Sequence, residues 1–121
     1  MTEKYKLIIE INDLPKLPNQ NMYKHWAVKF NAVKKWKNLV HHACIGKKPE
    51  LPLQKAKITY TRFSSRKPDY DNIVASFKPI QDGLKESLII ADDTWDQIIA
   101  IYAWEKAPTH KGSIKVEVQE A

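Results

Sequence analysis

The chain has 121 residues, 43% of them hydrophobic and 28% charged, which predicts one compact domain over residues 1–121 with a modest core and no second domain. The N-terminus lacks a signal-peptide apolar core, no run approaches membrane-spanning length, and the single Cys44 excludes an internal disulfide, so a cytoplasmic protein without a membrane partner is expected. The net charge of +6 is uneven: residues 1–67 carry 15 Lys/Arg against 4 Asp/Glu, a balance of +11, while residues 68–121 carry 5 against 10, a balance of −5. A basic half of this kind favours a polyanionic partner, since each neutralised phosphate releases condensed counterion, although solvated charged faces have the same composition.

Residues 4–11 alternate Tyr5, Leu7, Ile9 and Ile11 on one face, the period of a strand. Residues 12–21, with Pro15 and Pro18, read as a loop. Over 23–45 the apolar set Trp26, Phe30, Val33, Trp36, Leu39, Val40, Ala43 and Cys44 recurs at steps of three and four, predicting an amphipathic helix ended by Gly46. Adjacent His41 and His42 point about 100° apart on such a helix and do not suit one metal. With one Cys and four dispersed His, the usual zinc ligand sets are missing.

Residues 55–63 alternate again, giving a second strand. A second helix is expected from Asp71 or Asn72 to about Ser87, kinked because Pro79 lacks the amide that would bond the carbonyl of Ala75. Residues 97–104 are apolar on both faces and predict a central strand, and Ile114, Val116 and Val118 alternate with Lys115 and Glu117 in a last strand solvated on one face. The expected fold is mixed α+β in the order β-α-β-α-β-β, one mixed sheet with helices packed on it.

Four carboxylates gather at two element boundaries, Asp69 and Asp71 in one and Asp92 and Asp93 in the other. If residues 69–71 are extended, Asp69 and Asp71 project to one side, where two carboxylates can share Mg²⁺, an ion that takes oxygen ligands and keeps several waters. The plainer alternative is that Asp71 or Asn72 caps the following helix and that Asp92 and Asp93 are turn residues. Asp82 lies about 16 Å along a straight helix from Asp71, which suits it to orient Lys78 four residues earlier and not to ligate a shared ion. Tyr70 faces away from such an ion, either packing inward or stacking on an unpaired base.

Taken together, the run Pro68-Asp69-Tyr70-Asp71-Asn72, then Lys78, Asp82-Gly83-Leu84 and Leu88-Ile89-Ile90-Ala91-Asp92-Asp93, resembles the signature of the RusA-type Holliday junction resolvases, small Mg²⁺-dependent endonucleases of bacteria and their phages. The resemblance is strong over residues 66–99; elsewhere only the strand-loop-helix order and the Pro/Asn-rich early loop agree. The family places its lysine four residues after the second aspartate, where this chain has Ala75; from Lys78 onward the spacing to Asp82 and Asp93 regains the family register, as after a three-residue insertion. Seven residues is about 1.9 helical turns, which returns Lys78 to the same face.

The resemblance implies hydrolysis of a DNA phosphodiester in a four-way junction by a homodimer. Its catalytic residues would be Asp69, Asp71, Lys78 and Asp93. Asp69, Asp71, Asp93 and, as a further ligand, Asp92 would hold Mg²⁺, with Mn²⁺ as a substitute and no organic cofactor. Lys34, Lys35, Lys37, Lys47, Lys48, Arg62, Arg66 and Lys67 are expected to grip phosphates, with Tyr70 against a base. Two alternatives stand beside this expectation: a non-catalytic basic nucleic-acid-binding module, and a metal-dependent nuclease for other branched DNA or RNA.

Overall fold

Alternation along the strands decides which face of the sheet is dry. Leu7, Ile9 and Ile11, Ile58 and Tyr60, and Ile114, Val116 and Val118 are all buried in one cluster. In the computed structural model, residues 4–17, 26–94 and 96–121 are described, with only the backbone described for 26–30. The element order is β1 (Lys6–Ile11), α1 (Trp26–Ala43), β2 (Ala56–Ser64), α2 (Tyr70–Ser76), α3 (Lys78–Glu86), β3 (Ile98–Lys106) and β4 (Ser113–Glu120). The expected order therefore holds, with the second helical element in two pieces. The strands form one sheet in the order β1-β4-β2-β3, antiparallel at β1/β4 and β4/β2 and parallel at β2/β3. A parallel pair cannot be joined by a hairpin, and α2 with α3 forms the crossover between β2 and β3.

Trp36 and Val40 of α1, Cys44 just beyond it, Ile73 of α2, Ile80 and Leu84 of α3, and Phe77 between those two helices bury their side chains in the same cluster. Each such side chain contributes about 1.5–3 kcal/mol relative to exposure. A Cβ on Gly83 would lie 3.0 Å from the Val40 Cβ and 3.3 Å from the Lys37 Cα, so the missing side chain lets α3 lie close against α1. The helix ends near the expected place, with Gly46 in the left-handed region at φ 75° in the turn that follows. The expected helix start at 23, the last part of the early loop, and the side chains of Trp26 and Phe30 lie outside the described residues.

Two expectations are corrected. The helix expected as one kinked piece is two helices meeting at Phe77: Pro79 offers no amide to Ala75, and Phe77 itself bonds to the carbonyl of Val74 at 3.3 Å. The strand expected at the centre is β3, an edge strand. Its two-sided apolar character arises because Ile99 and Ile101, 59% and 40% exposed, lie on the uncovered side of the sheet.

The end of α3 steers the chain to the Asp92-Asp93 segment. The Leu88 amide donates to the Lys85 carbonyl at 3.1 Å and the Ile89 amide to that of Leu84 at 3.0 Å, the paired bonds of a Schellman cap, with Leu88 left-handed at φ 63°. A side chain in that region costs on the order of 1 kcal/mol, and Leu88 is 57% exposed, so it loses little packing on removal. Leu88→Gly is therefore expected to raise stability by about 1 kcal/mol in urea unfolding with an unchanged m-value. A loss of stability would show that Leu88 holds the segment by packing.

Candidate active site

Asp92 and Asp93 are placed from behind. Leu53 donates its amide to the Ile89 carbonyl and accepts the Ala91 amide, each at 2.9 Å, and Ile89 and Ile90 are buried. This short parallel bridge holds the residues before Asp92 and Asp93 against the body of the domain. Lys78, in the first turn of α3, sets its Nζ 3.0 Å from Asp82 Oδ1 and 3.1 Å from Asp93 Oδ2. Lys85 Nζ lies 3.1 Å from Asp92 Oδ1, which also accepts the Asp93 amide at 2.8 Å.

The hydrogen bond from Lys78 holds the Asp93 carboxyl below the usual carboxylate range, with a further hydrogen bond from Gln81 helping, while Asp82 and then Asp93 push the Lys78 ammonium up. Lys78 is thus firmly charged at neutral pH and fixed between two carboxylates by side chains from two elements.

Beneath this group lies a hydrogen-bonded support that periodicity alone did not single out. The Tyr60 hydroxyl, fully buried, donates to Gln81 Oε1 at 2.9 Å, and Gln81 in turn bonds Asp93. Burial, then Tyr102, Asp82 and Asp93, raises the Tyr60 phenol well above its ordinary value, so it is a donor and not a phenolate. Parallel pairing places Tyr60 beside Tyr102, their rings stacked at 5.1 Å; Tyr70 meets Tyr102 edge-on at 6.2 Å and is 68% exposed. Of the two roles open to Tyr70, inward packing is limited to this one edge. An adjoining cavity of about 560 Å³ is lined by Lys16, Val33, Val74, Lys78, Asp82 and Tyr102. The signal for Tyr60 and Tyr102 was present in the strand alternation, but their pairing depends on register across a crossover.

The other two carboxylates stand differently. Asp69 is the extended residue before α2, at φ −66° and ψ 150°, without a side-chain capping bond. Tyr70 already opens the helix, and Asp71 lies in its first turn with its Oδ1 accepting the Asn72 amide at 3.0 Å. The extended Asp-x-Asp arrangement is therefore not formed. Asp69 instead borders a second cavity with Arg62, Arg66 and Lys67. Among the described residues no three His, Cys, Asp or Glu side chains are close enough to hold one metal ion, so Asp69, Asp71, Asp92 and Asp93 do not form a single centre. The all-oxygen donors of Asp92 and Asp93 have the chemistry Mg²⁺ prefers, but each is engaged by a lysine. A preformed carboxylate cage for the ion does not fit this arrangement.

The expected phosphate contacts divide as well. Lys34, Lys47, Lys48, Arg66 and Lys67 are exposed, and Lys67 Nζ stands 5.9 Å from the Trp104 ring. Lys35 pairs with Asp13 at 2.7 Å and Lys37 with Glu86 at 3.0 Å, surface pairs that yield readily to a polyanion. Arg62 stands apart from these surface cations: at 4% exposure it points from the buried face of β2. His41 and His42 are both exposed.

No protein-family model matches the chain, and a search of curated proteins returns no match. Among solved structures, the chain is similar to TubZ of Bacillus thuringiensis serovar israelensis, in GDP-form protofilaments, at 9% identity and a TM-score of 0.44. The match covers 97% of this chain and 25% of that one, so the chain spans about a quarter of the length of the structure it matches.

Proposed function

We propose that this protein is an endodeoxyribonuclease that cuts phosphodiester bonds in branched DNA, acting as a homodimer with Mg²⁺. The observation that carries the reading is Lys78, a charged ammonium held between Asp82 and Asp93 and lining a cavity with Tyr102, against whose ring the exposed Tyr70 sits edge-on. The resemblance of residues 66–99 to RusA-type resolvases supports the substrate class and the dimer.

In this reading Lys78 meets the phosphate and offsets negative charge as it develops, Asp82 keeps the ammonium in place, and Tyr70 offers its exposed ring to a base. Gln81 and Tyr60 hold Asp93 from below. Asp92 and Asp93 would hold Mg²⁺ only together with a substrate phosphate, and the ion would there supply charge shielding and a water of lowered pKa. The exposed lysines of the first half and Arg66 and Lys67 bind backbone phosphates in register without reading sequence.

The test is incubation of purified protein with a four-way junction, a linear duplex and a single strand, with Mg²⁺ and with chelator. The expected result is Mg²⁺-dependent cleavage of opposing junction strands and little cutting of the duplex. A second reading, a non-catalytic basic module, is favoured by the engagement of Asp92 and Asp93 by lysines. Junction binding in chelator with no cleavage under Mg²⁺ or Mn²⁺ would select it.

A further inference from the structure

The second cavity, of about 480 Å³, opens at the far end of β2, between residues 64–69 and the loop 108–112. Arg62 reaches into it from the core side and is 96% buried. One end of its guanidinium donates to the Pro15 carbonyl at 2.7 Å; its Nε is buried and, among the described residues, bonded to nothing. No carboxylate among the described residues forms an ion pair with it. Burial weakens its hold on the proton, but a guanidinium remains charged at neutral pH.

A buried cation without a counter-charge is costly, and proteins keep one only where something pairs with it. The lining names the charge that is missing. Arg66, Lys67 and Ser65 share the cavity, the Ser64 hydroxyl being engaged by the Arg66 carbonyl and the Trp104 indole, and Asp69 is its one acidic residue. The Pro15 carbonyl fixes one end of the fork and leaves the Nε edge unpartnered; Nε has no open surface of its own, so an oxyanion takes that edge side-on only as the cavity lining shifts to admit it.

We propose that this cavity is a phosphate-binding site, with Arg62 as its innermost cation and Arg66 and Lys67 at its mouth. It deepens the nucleic-acid reading by giving one phosphate a built pocket beside Asp69, and it rests on that reading only for where the phosphate comes from. A DNA backbone phosphate and a free phosphate share the chemistry that the pocket recognises.

Inorganic phosphate is titrated into the whole protein against chloride of matched ionic strength, following Tm and backbone amide shifts. Wild type is expected to show saturable shifts at 64–69 and a Tm rise of about 5 °C at phosphate tenfold above Kd. General salting-out raises Tm without saturation and serves as the baseline. Arg62→Met, which keeps the length and loses the fork, is expected to lose the saturable part. Should that variant not fold, Arg66→Ala with Lys67→Ala is expected to weaken Kd about tenfold, and Asp69→Asn to tighten it by removing the one like charge.

Displacement of a four-way junction by phosphate, beyond the chloride control, assigns the pocket to a DNA phosphate; saturable binding without displacement assigns it to free phosphate. A response that never saturates, or that is the same in wild type and these variants, overturns the site. Saturable phosphate binding in a protein that cuts no junction would keep the pocket and remove the nuclease, and cleavage without phosphate binding would do the reverse.

Discussion

Asp93→Asn is expected to lower junction cleavage by about 10³-fold while leaving junction binding unchanged or tighter. The change keeps the shape of the side chain and the Gln81 contact but removes one of the two charges that fix Lys78. Charge placed for the transition state is where single side chains have effects of about 10²–10³-fold, whereas the lost negative charge also removes repulsion toward a phosphate. The fold itself should tolerate the substitution. Lys78 is 60% exposed and retains Asp82, so the stability cost is about 1 kcal/mol or less. Asp71→Asn, measured beside it, decides what the start of α2 contributes. In the free protein Asp71 is exposed and does not join Asp92 and Asp93, so an equal loss would mean that substrate brings α2 and the 92–93 segment together. Near-normal cleavage by Asp93→Asn, with kcat and KM both within about threefold of wild type, would remove it from the chemistry.

The dry face of the sheet was legible in the sequence because burial repeats every second residue along Leu7-Ile9-Ile11, Ile58-Tyr60 and Ile114-Val116-Val118. The Lys78–Asp82 pair was legible too, being four residues apart on one helix. What periodicity could not give was anything set across elements. Whether β3 lies at the centre or the edge depends on strand order, and an apolar strand reads alike in both places. The stacking of Tyr60 on Tyr102 depends on parallel register over a crossover of two helices. The Asp-x-Asp run could be extended or helical by its composition, and the short helix α2 took Tyr70 and Asp71 while leaving Asp69 outside. Arg62 shares the basic half with the exposed cations expected to grip phosphates, and its place on the alternation with Tyr60 and Ser64 is what turns it inward.

Lys78→Ala is expected to depress kcat by about 10²-fold or more with junction affinity within about threefold of wild type, whereas Lys85→Ala is expected to do little to either. Both lysines bind an aspartate at about the same distance, so a pairing count does not separate them. Their settings do. Lys78 joins two carboxylates, lies over the Tyr60–Gln81–Asp93 support and faces the cavity beside Tyr102, while Lys85 makes one surface contact to Asp92. Removing Lys78 also leaves Asp82 and Asp93 without the cation that separates them, so part of the loss is indirect. Asp82→Asn measures that part, because it removes the i,i+4 pair within α3 but leaves Lys78 and Asp93 paired. A kcat loss from Asp82→Asn that is small beside that of Lys78→Ala identifies the ammonium as the group that meets the phosphate; equal losses identify the pair as a device for placing Asp93. Ala75→Lys in the Lys78→Ala background then tests position. Ala75 lies on α2, across the Phe77 junction from Lys78, so a lysine there starts from a different helix. Failure to rescue is expected, and recovery of cleavage would show that the site accepts its cation from either helix and that the geometry around Lys78 is not what selects it.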